Sequence, residues 1–305
     1  MIILGIETSC DDTAVALVED GHKLLHTTAS SQLHSNTGGV IPERASRMHI
    51  EVLPVLVADI ISRMNGEKPD RIAVTTNPGL IPALLVGVSF AYGLARSWDL
   101  EVIDINHLYS HVYANIFEHP DIEFPHISLL VSGGHTQIIK VKSPTEMEVI
   151  GSTLDDACGE AFDKVARMFN LGYPGGPIVS KLAMKGNREA INFPRPMENS
   201  KDYNFSFSGI KTAVSNYIKN NKDSLSVEDT LASFEYACVD ILIRKTIRAA
   251  RDFKINTITL SGGVAANKAL REELLSYNNE FNIYVPDISI CGDNAITVAG
   301  LAFYY

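Results

Sequence analysis

Cysteine is scarce: Cys10, Cys158, Cys238 and Cys291 form no CxxC pair and no close cluster. That pattern argues against a disulfide framework and a structural zinc knot, and fits a reducing cytosol. No apolar run reaches the roughly 18 residues expected of a membrane span. The longest, "LIPALLVGVSFAYGLA" (80–95), carries Gly and Pro and reads as a buried core element. The opening "MIILGIETSCDD" lacks a basic segment and reaches an acid at Glu7, so a secretory signal peptide is not expected. Positive charge is also in short supply, with 26 Lys and Arg against 36 Asp and Glu and a net charge of −10. A general polyanion binder is thereby disfavoured, although local charge can still hold a nucleic acid. The modest basic groups Arg44 with Arg47, Lys181 with Lys185 and Arg188, and "RKTIRAARDFK" (244–254) read as solvated helix faces. Any nucleic acid bound here calls for added positive surface from a partner protein.

Three motifs are missing as well. Neither GxxxxGK[ST] nor GxGxxG occurs, so P-loop and dinucleotide-binding Rossmann readings are unsupported. Leu108 follows His107, so the HExxH of a zinc protease is absent too.

What is present is a globular composition, 46% hydrophobic and 20% charged over 305 residues, enough for a substantial core. "IILGI" (2–6) and "TAVALV" (13–18) read as strands joined by "ETSCDD", with a third strand in "GHKLLHTTASSQ". "GGVIPERASRMHIEVLPVLVADIISRM" settles into helical periodicity, "RIAVTT" and "EVIDIN" are strands, and "GLIPALLVGVSFAYGLARSW" is a buried helix. The pattern then restarts in "HISLLVSGGHTQIIKV" (126–141) and continues through the long helix "VEDTLASFEYACVDILIRKTIRAARDF", the strand-to-turn "TITLSGG", "AANKALREELLSYN", "FNIYVP" and "DNAITVAGLAFY". Two α/β halves, each begun by a hairpin, suggest a duplicated architecture. Residues of about 143–215 form an irregular insertion rich in Gly, Pro, Asn and Ser, a kind of segment more often functional than idle.

Three turns after strands suit anions: "ETSCDDT" (7–13), "VSGGHTQ" (131–137) and "LSGGVAAN" (260–267). Backbone N–H groups in glycine turns approach a phosphate closely, and a following helix N-terminus adds a favourable dipole. Asn267 opens a helix and can either cap it or bind a polar ligand. In "NHLYSHVYANI" (106–116), His107 and His111 are four apart and share one helical face. Taken alone, that spacing favours chance on an amphipathic helix over a metal pair.

The ordered series "GIETSCDDTAVAL", "GGVIPERASRMH", "NHLYSH", "LLVSGGHTQ", "GEAFDKVARMFNLGYPGGP", "FSFSGIKTAV", "SGGVAANKALR" and "CGDNAI" resembles the motifs of the TsaD family, the bacterial tRNA N6-adenosine threonylcarbamoyltransferases once called glycoproteases. It covers residue 2 to about 300. The resemblance implies an α/β fold of the actin-like ATPase (ASKHA) class, with two RNase-H-like domains around a nucleotide cleft. The expected domains are 1–106 and 107–292, the second carrying the insertion, with a C-terminal helix of about 293–305 packing back on the first. The implied activity moves threonylcarbamoyl from threonylcarbamoyl-AMP to N6 of the adenosine beside the anticodon, in tRNAs reading codons that begin with A.

By the same resemblance His107, His111 and Asp293 hold one divalent metal, Fe(2+) or Zn(2+). Leu130, Val131, Ser132, Gly133, Gly134, Asp163, Gly176 and Asn267 fall on ligand-binding positions. Ser180 stands where the family usually has Asp, which removes a charge from a contact to ribose hydroxyls. The chain also ends at Tyr305, earlier than is usual in the family. Expected partners are tRNA, a TsaB-like paralogue and a TsaE-like ATPase in the cytoplasm, with no membrane. The amine needs a base, and Glu7 and Asp11 lead Asp12 as candidates, each also able to cap the turn. Asp163 is expected to receive a ribose or threonyl group, among the acids of "DDACGEAFDKVARM" at a helix N-terminus. Cys10 and His49 read as packing residues. A small-molecule kinase of the same fold and a non-catalytic paralogue within a modification complex are the competing readings.

Overall fold

A computed structural model describes residues 1–32, 39–64, 66–222 and 224–305. Gly38, which begins "GGVIPERASRMH", lies outside them. The chain runs β1 (Ile2–Glu7), β2 (Asp12–Glu19), β3 (Lys23–Ser31), α1 (Pro42–Ser62), β4 (Arg71–Asn77), α2 (Ile81–Trp98), β5 (Glu101–Asn106) and α3 (His107–Glu118). It continues with β6 (His126–Val131), β7 (Thr136–Ser143), β8 (Glu146–Ser152), α4 (Cys158–Met168), α5 (Gly175–Ala183), α6 (Ser208–Asn220) and α7 (Val227–Phe253). It closes with β9 (Thr257–Ser261), α8 (Lys268–Leu275), β10 (Asn282–Tyr284) and α9 (Ala295–Ala302).

Two compact units emerge, one of Met1–Ile122 with Pro286–Tyr305 and one of Glu123–Val285. The division falls after Ile122, not after Asn106, because α3 packs into the first unit. Its Tyr113 and Ile116 join Ile3, Ile105, Val298 and Leu301 in one buried cluster. The Tyr113 hydroxyl also donates to the Gly21 carbonyl at 3.1 Å.

In the first unit the sheet order is β3-β2-β1-β4-β5, and in the second β8-β7-β6-β9-β10. In each, the first three strands are antiparallel and the last two join parallel to the first. The duplication expected from the sequence is therefore a repeat of topology. β1 and β2 are almost wholly buried, since α1 and α2 cover one sheet face and α3 and α9 the other. Each fully buried Leu or Ile in these layers contributes ~1.5–3 kcal/mol. Gly5 on β1 permits the close approach of α9: a Cβ there would meet the Ala295 carbonyl oxygen at 2.5 Å and the Ala299 Cβ at 2.8 Å.

Three expectations need correction. The stretch 143–215 is not irregular throughout: it holds β8, α4, α5 and the start of α6, while 184–207 carries no helix or strand. β8 is an edge strand with exposed Glu146 and Glu148, which blur its alternating pattern. Helix α2 is buried along one stripe only, at Ala83, Leu84, Gly87, Ala91 and Ala95. Ile81, Leu85 and Tyr92 are exposed at 71%, 58% and 48%. It is long and apolar enough to pass as a membrane span by composition, yet the stripe packs in the α1–α2–sheet layer. Finally, the basic run on α7 is a solvated face at Arg244, Arg251 and Lys254 but not throughout. Lys245 is buried and donates to Ser200 Oγ at 2.8 Å and to the Asn204 carbonyl. Arg248 holds the Ser200 carbonyl at 2.8 Å, and Arg251 pairs with Glu280 at 2.7 Å.

Candidate metal centre and nucleotide-binding turns

The C-terminal ends of β1, β4 and β5 share one edge of the first sheet, the edge where α/β folds place ligands. Glu7 ends β1, Thr75 lies near the end of β4, and Asn106 ends β5. Asn106 Oδ1 accepts the N–H groups of Leu108 at 2.9 Å and Tyr109 at 3.2 Å, capping α3. Helix α3 therefore starts at His107, and His111 lies one turn on, its ring centroid 4.6 Å away. Asp293 arrives from the residue before the N-cap of α9, whose docking at Gly5 sets its position.

Asp293 Oδ1 lies 3.2 Å from His111 Nε2 and 3.6 Å from His107 Nε2. One donor atom from each of the three residues lies within 4.8 Å of the others. Two donors bound to one ion at zinc-like distances in a tetrahedral arrangement are about 3.3 Å apart. The buried Nε2 of His111 makes no well-formed hydrogen bond among the described residues, its contact with Asp293 Oδ1 notwithstanding. Such an orphan is costly unless something coordinates it, so the donor set fits a divalent cation.

Glu7 shapes this triad. It is fully buried. One carboxylate oxygen accepts the Ser9 N–H, and the other accepts Thr75 Oγ1–H at 2.6 Å and His107 Nδ1–H at 3.1 Å. Ser9 Oγ is also 3.1 Å from His107 Nδ1. An ionised carboxylate only accepts, so Nδ1 carries a proton, and Nε2, which faces Asp293 and His111, is the atom that would give its lone pair to a bound cation. Burial alone would lower the His107 pKa, but Glu7 and Asp293 outweigh it and raise it to about 9. Burial likewise raises the Asp293 pKa, and the two histidines reverse this and leave it lowered.

The rest of the first turn is supported from α1. His49 is buried, with Nδ1 2.8 Å from Thr13 Oγ1 and Nε2 donating to the Cys10 carbonyl at 3.0 Å. Burial pushes the Cys10 thiol pKa upward, as a packing role requires. Asp12 is half-buried, and desolvation raises its pKa to about 6 against a hydrogen bond from Ser31.

In the second unit, the turns after β6 and β9 lie side by side, since Leu130 pairs with Ser261 in parallel register. Leu130 and Val131 are buried within β6, while Gly133 and Gly134 are exposed with open space where a Cβ would sit. Gly262 has φ +88°, and a Cβ there would strike the Val131 carbonyl oxygen at 2.4 Å. Asn267 Oδ1 accepts the Leu270 N–H at 2.8 Å and caps α8, while its Nδ2 donates to Ser180 Oγ at 2.8 Å and Glu235 Oε1 at 2.7 Å. Asp163 accepts the Gly175 N–H at 2.7 Å at the start of α5, and burial raises its pKa. At Gly176 a Cβ would again meet open space.

The family model described as TsaD: tRNA N6-adenosine threonylcarbamoyltransferase matches residues 23–300. The chain is 52% identical to the tRNA N6-adenosine threonylcarbamoyltransferase of Thermosipho melanesiensis, over 98% of this chain and 93% of that protein. With the proteins of the same name from Thermosipho africanus and Clostridioides difficile it shares 50% and 44% identity over its whole length, covering 94% and 93% of them. The chain belongs to the TsaD family. Among solved structures, T. kodakarensis HypF superposes with a TM-score of 0.68 at 15% identity, over 99% of this chain and 47% of that one. Component A of the (R)-2-hydroxyglutaryl-CoA dehydratase of Acidaminococcus fermentans gives 0.58 at 14%, over 100% and 98%. These likenesses show the actin-like ASKHA fold.

Within this TsaD-family chain, the structure brings His107, His111 and Asp293 together with Glu7, and separately Ser180 with Asn267. Asp155 and Asp156 precede α4 instead of lying on it, because Ala157 is its N-cap. Asp155 accepts from Ser206 and Ser208 Oγ, each at 2.6 Å, and Asp156 pairs with Lys164 and Lys211, each at 2.6 Å. Ser9, Thr75 and Glu235 were not anticipated. For Glu235 a signal exists: it is a carboxylate on the apolar stripe of α7, between Leu231 and Cys238. Ser9 and Thr75 carry no such mark, since hydroxyls at strand ends are commonplace.

Proposed function

We propose that this protein transfers the threonylcarbamoyl group of threonylcarbamoyl-AMP to N6 of the adenosine beside the anticodon, in tRNAs reading codons that begin with A. The N6 lone pair attacks the carbamoyl carbon of the mixed anhydride, the bond to phosphate oxygen breaks with its electrons, AMP leaves, and N6 loses a proton. The observation that carries the reading is the buried His107–His111–Asp293 group, backed by Glu7, in a chain of this family. An Fe(2+) or Zn(2+) ion held there supplies Lewis-acid stabilisation of charge on substrate oxygens. The exposed glycines Gly133 and Gly134, and Gly263 in the turn after β9, suit the phosphate of the adenylate. Glu7 is committed to three donors, which in this reading leaves Asp11 as acceptor of the N6 proton.

The partners in this reading are tRNA, a TsaB-like paralogue and a TsaE-like ATPase, acting in the cytoplasm. The exposed apolar side chains Ile50 and Val55 on α1 and Leu85 on α2 support a protein partner, and the negative net charge supports shared tRNA binding. The test is an assay with labelled threonine, tRNA and these partners, run on wild type and His111→Ala beside metal analysis. Threonine should reach tRNA with wild type, and His111→Ala should lose both metal and transfer. Absence of transfer by the complete wild-type system would overturn the reading.

A further inference from the structure

Helix α1 buries Ala45, His49, Leu53, Val57 and Ile60 along one stripe. Among these His49 alone is polar, and it is fully buried. A buried imidazole is costly unless both its nitrogens are met, whereas a leucine would fill the stripe with nothing to satisfy. Burial lowers the His49 pKa, outweighing the Cys10 carbonyl and the carboxylates of Glu7 and Asp11, so the ring is neutral. A carbonyl oxygen only accepts, so Nε2, 3.0 Å from the Cys10 carbonyl, carries the ring proton. Nδ1 then accepts, and the Thr13 hydroxyl 2.8 Å away donates to it.

These two bonds grip the first turn on either side of Asp11 and Asp12. On the β1 side the turn is already fixed. The Ser9 N–H donates to Glu7, and the Ser9 carbonyl accepts the Leu80 N–H at 2.8 Å. On the β2 side Asp12 pairs with Ser31 in the β2–β3 ladder. Between them, His49 holds the Cys10–Asp11 peptide by its carbonyl, and that plane sets the direction in which the Asp11 side chain leaves the backbone. Asp11 and Asp293 both act electrostatically on Cys10 and on Asp12, so Asp11 lies at the metal-centre end of β1. A neutral His49 also adds no positive charge there, and a cation beside a carboxylate makes it a weaker base.

We propose that His49 is a positioning residue, which through the Cys10 carbonyl fixes where the Asp11 carboxylate meets the proton leaving N6. The proton goes to a carboxylate oxygen of Asp11, and His49 takes none. This rests on the proposed transfer reaction with Asp11 as its proton acceptor, and deepens it.

The test is transfer of labelled threonine to tRNA by the complete system, with kcat, KM and melting temperature measured for each variant. His49→Leu keeps the stripe apolar and removes both bonds. Its kcat should fall about 100-fold, the size of a misplaced catalytic group, with KM for adenylate and tRNA within about twofold of wild type. His49→Gln offers an N–H at the reach of Nε2 and should recover kcat to within about fivefold. In an Asp11→Asn background His49→Leu should cost at most about twofold more, because the group it positions is already gone. A merely structural role predicts effects that multiply and a kcat that follows melting temperature. Multiplying effects, an unchanged kcat in His49→Leu or Asp11→Asn, or no recovery in His49→Gln overturns the inference and leaves the transfer reading standing. A complete wild-type system that transfers no threonine overturns both. If His49→Leu does not fold, Thr13→Val decides: the imidazole loses a bond that orients it, and kcat should fall about fivefold with KM unchanged. An unchanged kcat in Thr13→Val overturns the proposal.

Discussion

Glu7→Gln is the most revealing single change, because it alters one atom in a group whose every oxygen is in use. Both oxygens of Glu7 accept: one from the Ser9 N–H, the other from Thr75 Oγ1–H and His107 Nδ1–H. Glutamine offers one acceptor oxygen and one NH2. With its oxygen toward Thr75 and His107, the NH2 opposes the Ser9 N–H, leaving a buried donor unmet at ~1–3 kcal/mol. In the flipped arrangement the NH2 faces His107 Nδ1, which must then accept. The imidazole proton moves to Nε2, and the lone pair beside Asp293 is lost. In either orientation the negative charge that makes His107 a better ligand is gone, and loss of such a supporting carboxylate weakens metal binding ~10–100-fold. The assay is zinc titration in competition with a chromophoric chelator, with a thermal melt of the metal-free protein alongside. We expect the zinc dissociation constant to rise by that factor and the melting temperature to fall. Wild-type zinc affinity in Glu7→Gln would refute the reasoning. Retained affinity with abolished transfer would return Glu7 to the role of proton acceptor.

His126 is fully buried, and burial lowers its pKa from an ordinary 6.5 to about 4, against a weak bond to the Glu123 carbonyl. Below pH 6.5 the unfolded chain binds the proton and the folded one does not, so stability is lost as pH falls toward 4. At ~1.4 kcal/mol per tenfold in proton affinity, wild type should lose ~3 kcal/mol more than His126→Gln between pH 7 and 4 in urea unfolding. Parallel pH profiles would remove His126 from the acid response. Gly5→Ala should cost ~2 kcal/mol by overpacking, since its Cβ would meet α9 at 2.5–2.8 Å. Because α9 carries Asp293, zinc affinity should fall with the melting temperature, and a variant as stable as wild type would contradict the packing.

The strands and helices were legible because their periods are local. β1, β2, β6 and β7 read as hairpins, and α7 as one long amphipathic helix, from spacing alone. The edge strand β8 was not legible: with Glu146 and Glu148 exposed, only part of its pattern is apolar. The burial of Lys245 within the basic run on α7 was also hidden, since Lys245 is neutral to periodicity until the Ser200–Asn204 loop folds over it. Local spacing offered His107 and His111 as a pair, and the family resemblance added Asp293, far away in sequence.

The two carboxylates of the first turn show where such reading stops. Glu7 and Asp11 lie four residues apart in one motif, and as residue types they are equal candidates for accepting a proton. What separates them is register. Glu7 is the last residue of β1, and the parallel pairing of β1 with β4, and of β4 with β5, places Thr75 and His107 beside it. Three donors then hold its charged form against the cost of full burial, which makes it a support for the imidazole. Glu235 and Ser180 follow the same logic, since α5 and α7 must pack before a buried carboxylate and a hydroxyl share one amide donor. In both units the number of donors that the fold brings to a carboxylate decides its role, and that number is a property of long-range pairing.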